Sequence, residues 1–116
     1  MRLHRAIDIA DRMRPNNVEL NEKISCLWRL ECEFAEMMGE EFPDWTDGAE
    51  DPELLIGAPH DQVYPMNLLP FIDHMQEEMD LYQVDAMAAN QVLNDVKSMY
   101  RRSNQANTAK IKGVFI

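Results

Sequence analysis

The sequence predicts an all-α fold: a small bundle of about four helices with a long central loop and an extended C-terminal arm. Three observations carry this. Apolar residues recur at three- and four-residue spacing through four separate stretches. Prolines, glycines and asparagines gather between those stretches, and a strand-like run occurs only at Ile111–Ile116. The length of 116 residues suits one domain, read here as a helical unit over 1–102 followed by the arm over 103–116.

The first helix is expected over Leu3–Arg14, with Leu3, Ile7, Ala10 and Met13 on one side. Pro15 ends it, because a residue before proline is pushed out of helical geometry. Asn16 and Asn17 turn the chain, and Asn17 is placed to cap a second helix over Val18–Met38. Leu20, Ile24, Leu27, Phe34 and Met38 make its apolar stripe, widened by Trp28, Leu30 and Met37, and Gly39 stops it. Residues 40–60 hold Pro43, Gly48, Pro52, Gly57 and Pro59 and read as an irregular loop with a helical turn at Asp51–Ile56. Within that loop Trp45 either folds back onto the core or anchors a partner.

The third helix is expected from Asp61, its cap, to Met79, with Leu68, Leu69, Ile72, Met75 and Met79 facing inward. Pro65 is tolerable in a first turn, whereas Pro70 should kink the rod or cost it a hydrogen bond. The fourth runs over Leu81–Arg102, with Val84, Ala88, Val92, Val96, Met99 and Tyr100 as its stripe. Arg101 and Arg102 suit its C-terminus, where the helix dipole favours cations.

Charge is sorted along the chain. Residues 1–30 hold six Lys/Arg and four acids; residues 31–96 hold seventeen acids and no Lys or Arg; residues 97–116 hold five Lys/Arg and no acid. These blocks of +2, −17 and +5 make the formal net charge of −10. A solvated acidic face is the plain reading of the middle block. Its carboxylates must nevertheless repel one another or meet cations from the chain ends, from neighbouring chains or from solvent. Gripping nucleic acid through that block is disfavoured, since phosphate binding needs clustered Lys/Arg.

No membrane span is expected: the longest charge-free run, Gln62–Ile72, has eleven residues and two prolines. No secretory leader is expected either, as Arg2, His4, Arg5 and Asp8 interrupt any apolar core. Cys26 and Cys32 lie six apart on one helix and so point in different directions, which fits two free thiols in a reducing compartment.

Catalytic patterns are missing. His4, His60 and His74 are scattered, none follows a Glu by three residues, and no phosphate-cradling glycine loop, HExxH or GxSxG occurs. Glu33, Glu36 and Glu40 share a helical face, as do Asp73, Glu77 and Asp80, but solvated carboxylates explain both sets better than a metal does. His60 beside Asp61 reads as a hydrogen bond at a helix start rather than a general base. The nine methionines lie largely at helical spacing and serve first as core filler, second as an adaptable binding surface. No cofactor and no enzymatic activity are expected.

The end of the chain is more telling. Ile111, Val114, Phe115 and Ile116 are apolar, interleaved with Lys110 and Lys112, and come after a polar stretch, Ser103–Thr108. One reading is a frayed terminus. The sharper one is an arm that leaves the domain and adds a strand to a neighbour.

Asp61-Gln62-Val63-Tyr64-Pro65, then Ile72-Asp73 and Tyr82, then a helix ending Tyr100-Arg101-Arg102, together resemble the head–tail connector (adaptor) proteins of tailed bacteriophages and prophages. The early Arg14-Pro15-Asn16 turn before a long helix is similar as well, so the resemblance covers roughly residues 12–102. One departure is visible: the family often has Asn-Gly between its last two helices, where this chain has Gln76-Glu77. The resemblance implies a virion neck protein, a homo-oligomeric ring of about twelve copies beneath the portal protein. Such a ring extends the DNA channel without specific DNA binding and offers a platform to a stopper (head-completion) or tail protein. It would place Arg101, Arg102, Lys110, Ile111, Lys112, Val114, Phe115 and Ile116 against the portal or a neighbouring copy, and Arg12, Arg14 and Trp45 at subunit interfaces. A reading from another class is an acidic soluble regulator, such as a DNA-mimic inhibitor. It accounts for the net charge but not for the basic, apolar end.

Overall fold

The computed structural model describes the backbone of residues 1–45 and 51–115 and the side chains of 1–45 and 51–103. Among the described residues four α-helices make an all-α bundle: α1 (Leu3–Met13), α2 (Leu20–Met38), α3 (Val63–Met75) and α4 (Met79–Phe115), with a short 3-10 turn at His60–Gln62 leading into α3. No strand forms among the described residues; a single antiparallel bridge pairs Arg2 with Glu53.

α3 is the hub, packed against each of the other helices. Seven of its thirteen residues are buried: Val63, Tyr64, Pro65, Leu68, Leu69, Ile72 and Asp73. Pro70 lies inside it without breaking it. α1 contributes Leu3, Ala6, Ile7 and Ala10, a stripe at helical spacing that replaces the expected Met13, which is exposed. α2 contributes Ile24, Leu27, Leu30, Phe34 and Ala35, while Leu20 lies outside the core. Phe34 meets Tyr64 edge-on, with ring centroids 5.7 Å apart and planes at 89°. Each fully buried large side chain here contributes about 1.5–3 kcal/mol relative to exposure.

The helix ends obey local chemistry. Gly39 caps α2 in the left-handed region (φ 71°), as expected, and Glu40 N–H returns to the Ala35 carbonyl at 2.8 Å. The start of α2 differs: Asn17 does not cap it, and Asn16 instead accepts the Val18 N–H at 3.0 Å. α3 stops at Met75 rather than Met79. Glu77 takes a left-handed conformation (φ 59°), and Glu78 N–H bonds back to the Asp73 carbonyl at 2.8 Å, closing the turn into α4.

Two further expectations are corrected. Residues 51–56 make no helical turn; they run alongside the N-terminus, with Leu3 N–H donating to the Pro52 carbonyl (3.0 Å) and Leu54 N–H to the Met1 carbonyl (2.9 Å). This burial of Leu54 and Ile56 against the core outweighs any local helical tendency. α4 does not end at Arg102, and no extended arm begins at Ser103: the backbone stays helical to Phe115. Residues 103–112 contain neither proline nor glycine, and Ala, Gln and Lys favour continuation. At 37 residues α4 spans about 54 Å, which accounts for the 58 Å long axis of the molecule.

The face that α4 turns inward is partly the expected one: Val96 is buried and Val92 packs against the core, joined by Ala89 and Leu93, whereas the expected Val84 is 66% exposed. On the same side of the helix Asp85 turns toward Arg14.

Candidate functional site

The side chains with chemistry fall into two buried polar clusters and one open, charged end. The first cluster joins α2, α3 and the central loop. Tyr64 donates its hydroxyl to Glu31 Oε1 at 2.6 Å and accepts the Ile56 N–H at 2.9 Å. The second oxygen of Glu31 accepts the Leu55 N–H at 2.9 Å. Burial pushes the Glu31 carboxyl up, against the hydrogen bonds from Tyr64 and Leu55. Burial also raises the Tyr64 hydroxyl, reinforced by its bond to Glu31. Every polar atom of this cluster is spent on holding the loop to the bundle.

The second cluster sits where α1, α3 and α4 meet. Arg14 donates from Nε to Asp73 Oδ1 at 3.0 Å and from NH2 to Asp85 Oδ2 at 2.6 Å. Asp73 is fully buried, and its other oxygen has no donor. Burial pushes Asp73 up to about 6, the neighbouring Asp85 adds to this, and Arg14 works against it. When protonated, Asp73 can donate to Asp85. Burial opposes ionisation of Asp85 too, yet its bonds from Asp73 and Arg14 hold it below the usual carboxylate range. One cation between two carboxylates forms a tie between helices.

A smaller tie links α1 to α2: Lys23 Nζ reaches Asp11 Oδ1 at 2.8 Å, and Asn16 Nδ2 donates to the same oxygen at 2.9 Å.

Of the side chains expected at interfaces, Arg12 is exposed and Arg14 is spent within the chain on Asp73 and Asp85. Trp45 is half-buried and packs against the core, the first of its two readings, while Trp28 donates its indole N–H to the Pro43 carbonyl at 2.8 Å. Arg101 and Arg102 are both exposed. Arg101 lines an open groove of about 500 Å³ with Lys97, Tyr100, Met37, Glu33 and Glu36, and Lys97 Nζ lies 3.5 Å from Glu33 Oε1. Lys110, Ile111, Lys112, Val114, Phe115 and Ile116 have side chains outside the described residues.

The expected carboxylate faces resolve differently. Glu33 pairs with Lys97 and Asp73 with Arg14, and no three His, Cys, Asp or Glu side chains converge among the described residues. Cys26 and Cys32 are free thiols. No described helix is long and apolar enough to cross a membrane. Sequence reasoning missed Glu31, Lys23 and Asp85 as inward-facing groups; the available hint was that each interrupts, or lies beside, an apolar stripe. In comparisons with known proteins, no family model, curated protein or solved structure matches the chain.

Proposed function

We propose that this chain is a structural subunit of the neck of a tailed bacteriophage. In that role it is a helical adaptor assembled as a ring of about twelve copies beneath the portal protein, extending the DNA channel and joining the head to a stopper or tail protein below. The observation that carries the reading is the separation of charge. All seventeen acids of residues 31–96 lie in a block without one Lys or Arg, and the five basic residues after Asp95 all fall at 97–112. A ring through which DNA must slide is served by walls that repel phosphate, and the basic end of a long helix remains for protein partners.

The test is reconstitution with a phage portal protein from the same genome. The full chain is expected to co-sediment with portal particles and to add a ring of density in negative stain. A variant lacking residues 104–116 should keep a cooperatively folded bundle, its helical signal reduced only by the turns removed, yet fail to attach. Full-length protein that never associates with the portal would overturn the proposal.

A further inference from the structure

We infer that the groove between the start of α2 and the end of α3 receives residues 110–116 of a second copy of this chain, in a head-to-tail contact. The groove consists of two adjoining hollows of about 530 and 300 Å³ that share Glu22 and Met75. Phe71 and Met75 supply its apolar side, and Met75 is 44% exposed. Glu19 and Glu22 stand on the α2 side, with Arg29 at one end, and neither carboxylate has an ion-pair partner among the described residues. Glu77 and Glu78, both exposed, follow Gln76 in the turn next to the groove without lining it.

This surface asks for a segment that is apolar and positively charged. The chain itself carries one. Ile111, Val114 and Phe115 recur at three- and four-residue spacing in a stretch whose backbone is helical to Phe115, with Lys110 and Lys112 interleaved and no acid after Asp95. Geometry then decides between a molecule's own segment and a neighbour's. α4 starts at Met79, three residues past Gln76 at the mouth of the groove, and carries the backbone about 54 Å away by Phe115. A chain cannot fill its own groove, so the occupant comes from another copy.

A groove on one end and its complement on the other make a heterologous contact, which closes into a ring or propagates as a filament. The contact deepens the ring reading above and rests on it for closure. Seven residues bury too little surface for a tight dimer, so single contacts should be weak and gain strength through repetition around the assembly.

The experiment is sedimentation velocity of the full chain up to about 1 mM, with charge-reversed variants. Wild-type protein is expected to associate with rising concentration. Glu19→Lys/Glu22→Lys and, separately, Lys110→Glu/Lys112→Glu should each lower the association constant about tenfold or more while leaving circular dichroism unchanged. An equimolar mixture of the two variants should regain wild-type association, since every contact in it pairs opposite charges again. Wild-type protein that stays monomeric throughout, or a groove variant that associates undiminished, would overturn the inference. The portal experiment fails independently: restored self-association without portal binding sinks the neck reading alone, and portal binding with an indifferent groove sinks this one alone.

Discussion

α3 and α4 are neighbours in sequence and in space, yet they are built on opposite plans. α3 has thirteen residues and buries seven, touching every other helix. α4 has 37 residues, and among those with described side chains it buries only Ala89 and Val96. The difference separates two jobs. α3 is the element whose packing makes the bundle, so most changes in it should be felt as stability. α4 rests on α3 by one narrow face and is held along the rest of its length by its own hydrogen bonds, helped by five alanines, the best helix formers. Its outer surface is therefore open to changes that alter association without altering folding.

The largest break in that comparison should come from Leu68→Ala. The side chain is fully buried in α3, and its loss is expected to cost about 3–5 kcal/mol in urea-unfolding free energy through lost burial and the cavity left behind. Tyr64→Phe should come next at about 2–3 kcal/mol. It keeps the ring against Phe34 but leaves Glu31 Oε1 and the Ile56 N–H without their partner. Central-loop amides, Leu55 and Ile56 above all, should then lose hydrogen-exchange protection before the helices do.

Asp73 gives the comparison a pH dependence. Its folded pKa is raised from 3.8 to about 6, so the folded protein holds this proton more tightly than the unfolded chain does. The resulting contribution is complete below about pH 4 and is lost as pH rises through about 6. Asp85, shifted the other way, stays ionised in the folded protein and adds an opposite slope only below about pH 5, where the unfolded carboxyl takes up its proton. Asp73→Asn is expected to flatten stability between pH 4 and 6 and, at pH 8, to stabilise by about 1–2 kcal/mol, less than the full shift because Arg14 loses its bond to the ionised carboxylate. A variant that keeps the wild-type pH slope would remove Asp73 as its source.

How much of this was legible in the residues depends on how local the cause is. Four helices, the Gly39 stop and the break before α4 arise from spacing and turn chemistry within a few positions. The inward face of α4 was legible in part. Val92 and Val96 turn in as their spacing implies, but Val84 and Ala88 continue an apolar period as well as Ala89 and Leu93 do, and nothing local says that Asp85 meets Arg14, 71 residues earlier. Burial of Glu31 was hidden for the same reason, since its partners come from the loop and from α3. Arg14 reads as a free basic residue after a helix until two distant carboxylates claim it. The continuation past Arg102 was masked by Ser103 and Asn104, residues that favour caps and turns, although no later residue before Gly113 enforces a stop.

The junction of the two helices offers a smaller effect of opposite sign. Glu77 holds φ at 59°, a conformation costly for a residue with a Cβ, and its side chain is exposed. Glu77→Gly should stabilise by about 0.5–1 kcal/mol, the relief of strain being partly offset by the greater freedom of glycine in the unfolded chain.

The smallest effect should be found on the outside of α4. Met87 is the most exposed of the large apolar side chains, and Met87→Ser removes surface that folding never covered. Helix propensity falls slightly from Met to Ser, so a change within about 0.5 kcal/mol is expected, against several for Leu68→Ala one helix away. If Met87→Ser destabilised the isolated chain by more than about 1 kcal/mol, the outer face of α4 would have to be buried against something even in solution. The two-plan comparison would then fail where it is easiest to measure, because α4 would depend on covered apolar surface as α3 does.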